Sequence, residues 1–359
     1  MYTILKQVNM FRRYRTSQPW IICTAVLSFM GSCGFGAEPI ELSIGDEKTA
    51  SIAFSPDGRY LAVGTFGRAP TTKVFDLVAK KEFREFPCTG RGAAFSVAFS
   101  QDSQRLAIAD YDLNIQVFNV VDGTSIGALP GDPDRKKYRQ ARQVSFLSNT
   151  KLIAGYSTGE LFVWNLETKQ VSVKCDHGNP ITAIAVSPDG NRIASGTDFG
   201  LRIWDSASGK AVVQLDQKSS GIHQVQAIAF LPDGQTVATA DSPGHVRFFA
   251  TSDGKEMNSF KMPSVGKETT VYGLCVTSDG KTAVVPGLLA GIDPTRPKSL
   301  TSGILLIDVS TARPRGFVES ATAHALALSP DHKWAAISTG DTGDSVMLYD
   351  LTKAIPVKP

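Results

Sequence analysis

"SIAFSPDGRYLAVGT" spans residues 51–65, and "AIAVSPDGNRIASGT" spans residues 183–197. Each sets a short apolar run, a Ser-Pro-Asp-Gly turn and a second apolar run in the same order. Pro56 presets φ at the first turning position. Asp57 tolerates the second, and Gly58 supplies the positive φ that returns the chain along its partner. The stretch is therefore a strand, a tight reversal and a strand. Related turns start at residues 55, 100, 147, 187, 231, 277 and 329, with steps of 40 to 52 residues. A period of that size marks a repeat architecture.

The flanks repeat as well. Three residues precede each turn: "IAF" at 52, "VAF" at 97, "VSF" at 144, "IAV" at 184, "IAF" at 228, "LCV" at 274 and "LAL" at 326. The outer columns are apolar. The middle column is small: Ala53, Ala98, Ser145, Ala185, Ala229, Cys275 and Ala327. Such triplets predict a strand buried on both faces, with a neighbouring sheet close to the small column. A second strand follows each turn, then a third such as "KVFDL" or "RIWDS", then a fourth such as "KAVVQL". Each unit reads as a four-stranded antiparallel meander, a–b–c–d.

These units resemble WD repeats, which build β-propellers. The resemblance runs from residue 40 to about 352. The fourth copy carries His177, Ser195, Asp198, Trp204 and Asp205 at the spacing of the family's hydrogen-bonded His-Ser-Asp-Trp network. Most other copies lack the His and the Trp, so the array is degenerate. The resemblance implies an all-β, seven-bladed β-propeller of four-stranded antiparallel blades over residues 38–359. The ring is expected to be closed by the N-terminal strand, with Ile40–Ile44 as the outer strand of the last blade. "KAIPV" at 353–357 is the alternative source of that strand. Where Gly is lost from the turn, at Ser103 and His332, the backbone is expected to be strained.

Residues 1–37 run basic, apolar, small: Lys6, Arg12, Arg13 and Arg15, then "WIICTAVLSFM", then "GSCGFGA". That layout predicts a signal peptide and an exported protein, periplasmic, cell-surface or secreted, with Cys33 a weak candidate for lipid anchoring. Removing this stretch takes away four positive charges and no negative one, so the formal charge moves from +3 to −1. A near-neutral domain gives no reason to expect a nucleic-acid partner. No membrane-spanning segment is read in the remaining chain. Its three cysteines, Cys88, Cys175 and Cys275, have no Cys-x-x-Cys spacing, so neither structural zinc nor haem is indicated.

Meander topology puts the a–b and c–d turns at one end of every unit. The b–c turns and the d-to-a links share the other. The first end is trimmed. The second carries insertions at 64–72, 129–142, 216–224, 261–270 and 286–303, and insertions in repeat proteins gather on a binding face. Within them Arg135, Lys136, Lys137, Tyr138 and Arg139 form a basic patch, and Leu288 and Leu289 offer an apolar tip. Counting back from each turn also predicts a ring at the channel mouth that includes Arg142, Gln226, Tyr272 and His324. These residues point to a non-catalytic scaffold for a protein or other macromolecular partner. A secreted enzyme, or a small-ligand site at the channel mouth, is the competing reading. The sequence has no nucleophile elbow and no His-Glu-x-x-His motif. No cofactor is expected, and metal binding would need Asp241, Asp293 and Asp341 gathered from b–c loops. Oligomeric state is not legible.

Overall fold

The computed structural model describes residues 39–357 except 46, 89–91, 111–113, 131–139, 223, 243, 263–270, 272, 291–299, 322 and 340–344, with backbone alone at 114, 130, 217, 288–290, 300, 301, 324 and 339. All described residues belong to one unit, Ala37–Pro359.

The Ser-Pro-Asp-Gly turn is built as its residues dictate. The Gly58 N–H donates to the Ser55 carbonyl at 2.9 Å, and Gly58 takes φ of 73°. The Ser55 hydroxyl donates to Asp57 at 2.5 Å and accepts the Tyr60 N–H at 2.8 Å. The same Ser-Asp brace recurs at Ser187 and Asp189 and at Ser329 and Asp331. At Leu231 there is no hydroxyl, and Asp233 accepts the Thr236 N–H instead, at 3.1 Å.

Ser103 and His332 do hold positive φ, 61° and 57°, where other turns use Gly. L-residues pay a steric cost there. Each gains a partner that Gly cannot. Ser103 Oγ accepts the Asp57 N–H of the neighbouring turn at 3.0 Å, and His332 Nε2 accepts the Ser278 N–H at 3.0 Å.

The chain is an all-β propeller of antiparallel meanders. Three separate four-stranded sheets cover 141–176, 183–216 and 225–261. A fourth joins Ala323–Leu328, Trp334–Thr339 and Ser345–Asp350 to Ile40–Ser43. The expected N-terminal outer strand is thus present, with Ile40 opposite Leu348 and Ser43 opposite Ser345. "KAIPV" does not supply that strand. Ile355–Pro356 pairs instead with Phe317 and Gly316, adding a fifth strand to the 275–319 sheet.

Seven independent four-stranded sheets were expected, and the first two units depart from that. Their strands, 48–87 and 92–130, lie in one eight-stranded sheet. Tyr60–Gly67 overruns its own hairpin, and Phe66 and Gly67 pair with Ala93 and Gly92 of the next unit.

Apolar clusters join facing sheets. One packs Ile115 and Leu129 on Leu152 and Trp164, and another packs Leu42 and Leu348 on Leu61 and Phe75. The small column was expected to be covered on both faces. It is half-buried at Ala53, Ala98, Ser145, Ala185, Ala229 and Cys275, and buried only at Ala327. It lies on the inner strand, the unpaired inner edge of each sheet, so no further strand covers it. The close approach expected at this column is found on strand b instead. A Cβ on Gly196 would meet Val225 Cγ1 of the next unit at 2.5 Å.

Candidate interaction face

Strand a reaches the insertion-bearing end of the propeller through a β-bulge. Pairing with strand b skips one residue between Thr49 and Ser51, between Ala94 and Ser96, between Ala141 and Gln143, and between Val225 and Ala227. It skips two between Ala323 and Leu326. The skipped residues are Ala50, Phe95, Arg142, Gln226, and His324 with Ala325. A bulge bends the strand and re-aims the extra side chain. Counting back from the turns lands on these same residues at Arg142, Gln226 and His324, whereas Thr182, at the equivalent place in the fourth unit, keeps to the ladder with its N–H donating to the Gly196 carbonyl at 3.0 Å. Arg142 is exposed and Gln226 half-buried. His324 is described by its backbone, and Tyr272 lies outside the described residues.

The basic patch, Arg135, Lys136, Lys137, Tyr138 and Arg139, also lies outside them. Leu288 and Leu289 are not on a loop tip. They sit in the strand Thr282–Ala290, opposite Ser302 and Thr301, so the arms of the 286–303 insertion extend a hairpin. The 216–224 insertion contains a single helical turn, Gln217–Ser220.

Two residues on this face escaped the sequence reading. Phe66 is 45% exposed and Phe199 is 56% exposed. Both precede a Gly at a b–c connection, in "GTFG" and "TDFG", and that shared Phe-Gly was the signal available. An exposed large aromatic ring is suited to contact with a partner.

The fourth unit holds most of its expected network. Trp204 Nε1 donates to Ser195 Oγ at 2.8 Å, and His177 Nδ1 lies 2.9 Å from the same oxygen. Burial pushes the His177 pKa down from 6.5 to about 3, with the Arg202 charge adding to the shift. Asp198 stays out of the network. It is exposed, and its backbone carbonyl accepts the Gln224 N–H at 2.9 Å. The Thr197 hydroxyl organises the turn by accepting the Phe199 N–H at 3.1 Å, which leaves the carboxylate in solvent.

In the fifth unit Asp241 is 1% exposed. Its Oδ1 accepts the His245 N–H at 2.7 Å, and its Oδ2 lies 3.3 Å from His245 Nδ1 and 3.9 Å from Arg247 Nη2. Its Oδ1 is tied to its own hairpin, while the buried Oδ2 makes no hydrogen bond. Asp293 and Asp341 lie outside the described residues, among which no group of three metal-ligating side chains occurs. Burial pushes Cys88 and Cys275 up to about 12 and Cys175 to about 11, leaving protonated thiols that are poor nucleophiles.

Residues 168–205 match the profile of the WD domain, G-beta repeat. The chain is 23% identical over 260 residues to the U3 small nucleolar RNA-associated protein 15 homolog of Xenopus tropicalis, covering 72% of this chain and 48% of that protein. It is 26% identical over 258 residues to periodic tryptophan protein 2 of Arabidopsis thaliana, covering 59% and 28%. It is 25% identical over 330 residues to telomerase protein component 1 of Rattus norvegicus, covering 88% and 11%. The chain thus matches less than half the length of these relatives.

Two expectations are corrected by these likenesses. Export conflicts with a relative named for a nucleolar RNA, an intracellular setting. The basic-apolar-small order of residues 1–37 is a matter of composition alone, and the labels signal and secreted fall with it. Setting nucleic acid aside as a partner is likewise not supported, because the first of these relatives is named for its association with RNA. Near-zero net charge does not exclude a local RNA contact. The chain is not read as an enzyme, in keeping with relatives of this kind. Among the described residues no helix is long and apolar enough to cross a membrane.

Proposed function

We propose that this chain, a member of the WD-repeat β-propeller family, is a non-catalytic scaffold that holds a protein or RNA-containing partner on its b–c and d–a face. The observation that carries this reading is the coincidence of three features at one end of the blades. They are the bulged residues of strand a, the insertions, and the exposed Phe66 and Phe199. The other end has tight braced turns. The partner-contacting set is then Phe66, Phe199, Arg142 and Gln226, with Leu288, Leu289 and His324 proposed to join them, and the sequence adds Arg135–Arg139 and Tyr272, which lie outside the described residues.

The propeller is taken as one domain of seven blades over residues 38–359. The eight-stranded sheet counts as two blades zipped together at Phe66 and Gly67. Support comes from the inner strands, which touch in the order 48–54, 92–99, 141–148, 183–186, 225–230, 275–276 and 323–328, the last returning to the first.

The test is affinity capture with the folded chain as bait, beside a Phe66→Ser, Phe199→Ser, Arg142→Ala variant. The variant should keep its melting temperature and lose the captured partner. Retention of the same partner by a folded variant would sink the reading. Ribonuclease treatment before capture separates a protein partner from one held through RNA.

A further inference from the structure

At the opposite, trimmed end a cavity of about 750 Å³ opens between the last sheet and the first. Ile40, Leu42 and Leu348 line it from one side, Phe54 and Leu77 from the other, with Trp334 beside them. Asp57, Asp331 and Lys80 stand at its rim, and Val78, 81% exposed, forms a lip.

The cavity has a cause in the sequence. In three other units the outer strand begins opposite the last residue of strand c, as with Lys81 opposite Asp76, Gln170 opposite Asn165 and Arg313 opposite Asp308, and in three more it begins one residue short of it, as with Ala211 opposite Trp204. In the last sheet pairing begins only at Ile40, opposite Leu348. Pro39 precedes it and has no N–H to continue the ladder. Tyr349 and Asp350 are left without an outer-strand partner, and the seam stays open beside them.

The size lies in the range of ligand pockets, which combine apolar walls with a few polar groups. The rim carries two carboxylates, Asp57 and Asp331, against one ammonium, Lys80, and so is net negative. Asp57 has no ion pair among the described residues. The Asp331 carboxylate, held below the ordinary range chiefly by the Ser329 hydroxyl, faces only the Lys333 ammonium at 3.6 Å, an exposed pair of little strength. The Trp334 ring adds a face that attracts cations.

We propose that this recess binds a peptide segment in which an apolar side chain is flanked by Lys or Arg. The apolar group enters between Leu77 and Leu348, and the flanking cations meet Asp57 and Asp331. This site is separate from the b–c and d–a face, so either can fail without the other.

The experiment is calorimetric titration of the full chain with acetyl-Lys-Phe-Leu-Lys-amide. The Glu-flanked counterpart and acetyl-Lys-Gly-Gly-Lys-amide serve as controls. The Lys-flanked apolar peptide should bind, the Glu-flanked peptide should bind about tenfold more weakly, and the Gly-centred peptide should not bind. Asp57→Asn with Asp331→Asn keeps the turn acceptors and should weaken the first peptide about tenfold. Leu77→Trp fills the cavity and should abolish binding, with Val78→Trp at the lip as a second blocking variant should the first not fold. Phe66→Ser should change nothing. Equal affinity for the Lys- and Glu-flanked peptides, undiminished binding by a folded Trp variant, or no binding of the Lys-flanked peptide would each overturn the proposal.

Discussion

The third and fourth repeat units bury a Trp at the same place and satisfy it differently. Trp164 and Trp204 are 1% and 4% exposed, and each indole N–H needs an acceptor. In the fourth unit Ser195 on strand b provides it and is itself joined to His177. In the third unit the matching position is Ala154, and Tyr156, two residues along strand b, accepts from Trp164 at 3.2 Å. Tyr156 also packs its ring 5.0 Å from Phe162. The repeat thus preserves a satisfied indole rather than a fixed set of residues. Where the third unit has no Ser acceptor on strand b, the Tyr156 hydroxyl takes its place.

The two solutions differ in what breaks them. The largest effect belongs to both alike. Trp164→Ala and Trp204→Ala each empty a core site and should cost about 3–5 kcal/mol in denaturant unfolding. A cost below 1 kcal/mol at either would show that the two units are not equivalent. Next comes Ser195→Ala, which strands the Trp204 N–H and the His177 ring together, at about 1–3 kcal/mol. A neutral result there would mean that water or a shifted side chain replaces Ser195.

The third effect sets the units apart by pH. Ser195 accepts from Trp204 and can donate to His177 Nδ1 only while that ring is neutral. The folded pKa of His177, about 3, lies below its ordinary 6.5, so the unfolded chain binds the extra proton between these values. Stability from this group is full above pH 6.5 and falls as the pH drops toward 3, by up to about 1.4 kcal/mol per unit. Melting curves across pH 4–7 should show the slope. His177→Gln should flatten it, and an unchanged slope would place the acid sensitivity elsewhere. Tyr156→Phe, the smallest change, leaves one indole N–H unpaired at about 1 kcal/mol and should leave the pH slope as it was.

The hairpins were legible because a Pro-Asp-Gly reversal is decided within four residues. What joins one unit to another was not. Phe66 and Gly67 look like the end of a strand, and only the approach of Gly92 and Ala93 makes them a seam. Ile355–Pro356 reads as a candidate outer strand for the last unit, and only the approach of Phe317 makes it a fifth strand of another sheet. The bulges at Ala50, Phe95, Arg142 and Gln226 were invisible, since one extra residue barely alters an apolar pattern. Asp198 matched a spacing, yet Thr197 next to it held the turn. Export was inferred from the composition of residues 1–37, and relatives of the folded region argue against it.

The pairing of Ile40 with Leu348 also orders events in time. These residues lie about three hundred positions apart, and closing so long a loop is among the slowest steps available to a chain. During synthesis the early units can fold as they emerge, each against its neighbour. The last sheet cannot, because its outer strand is made first and its inner three strands are made last. Until residue 348 arrives, Ile40 and Leu42 wait without their cover. A chain halted shortly before that point has nearly every blade and no latch, and quality control acting on the newborn protein would meet it in that state.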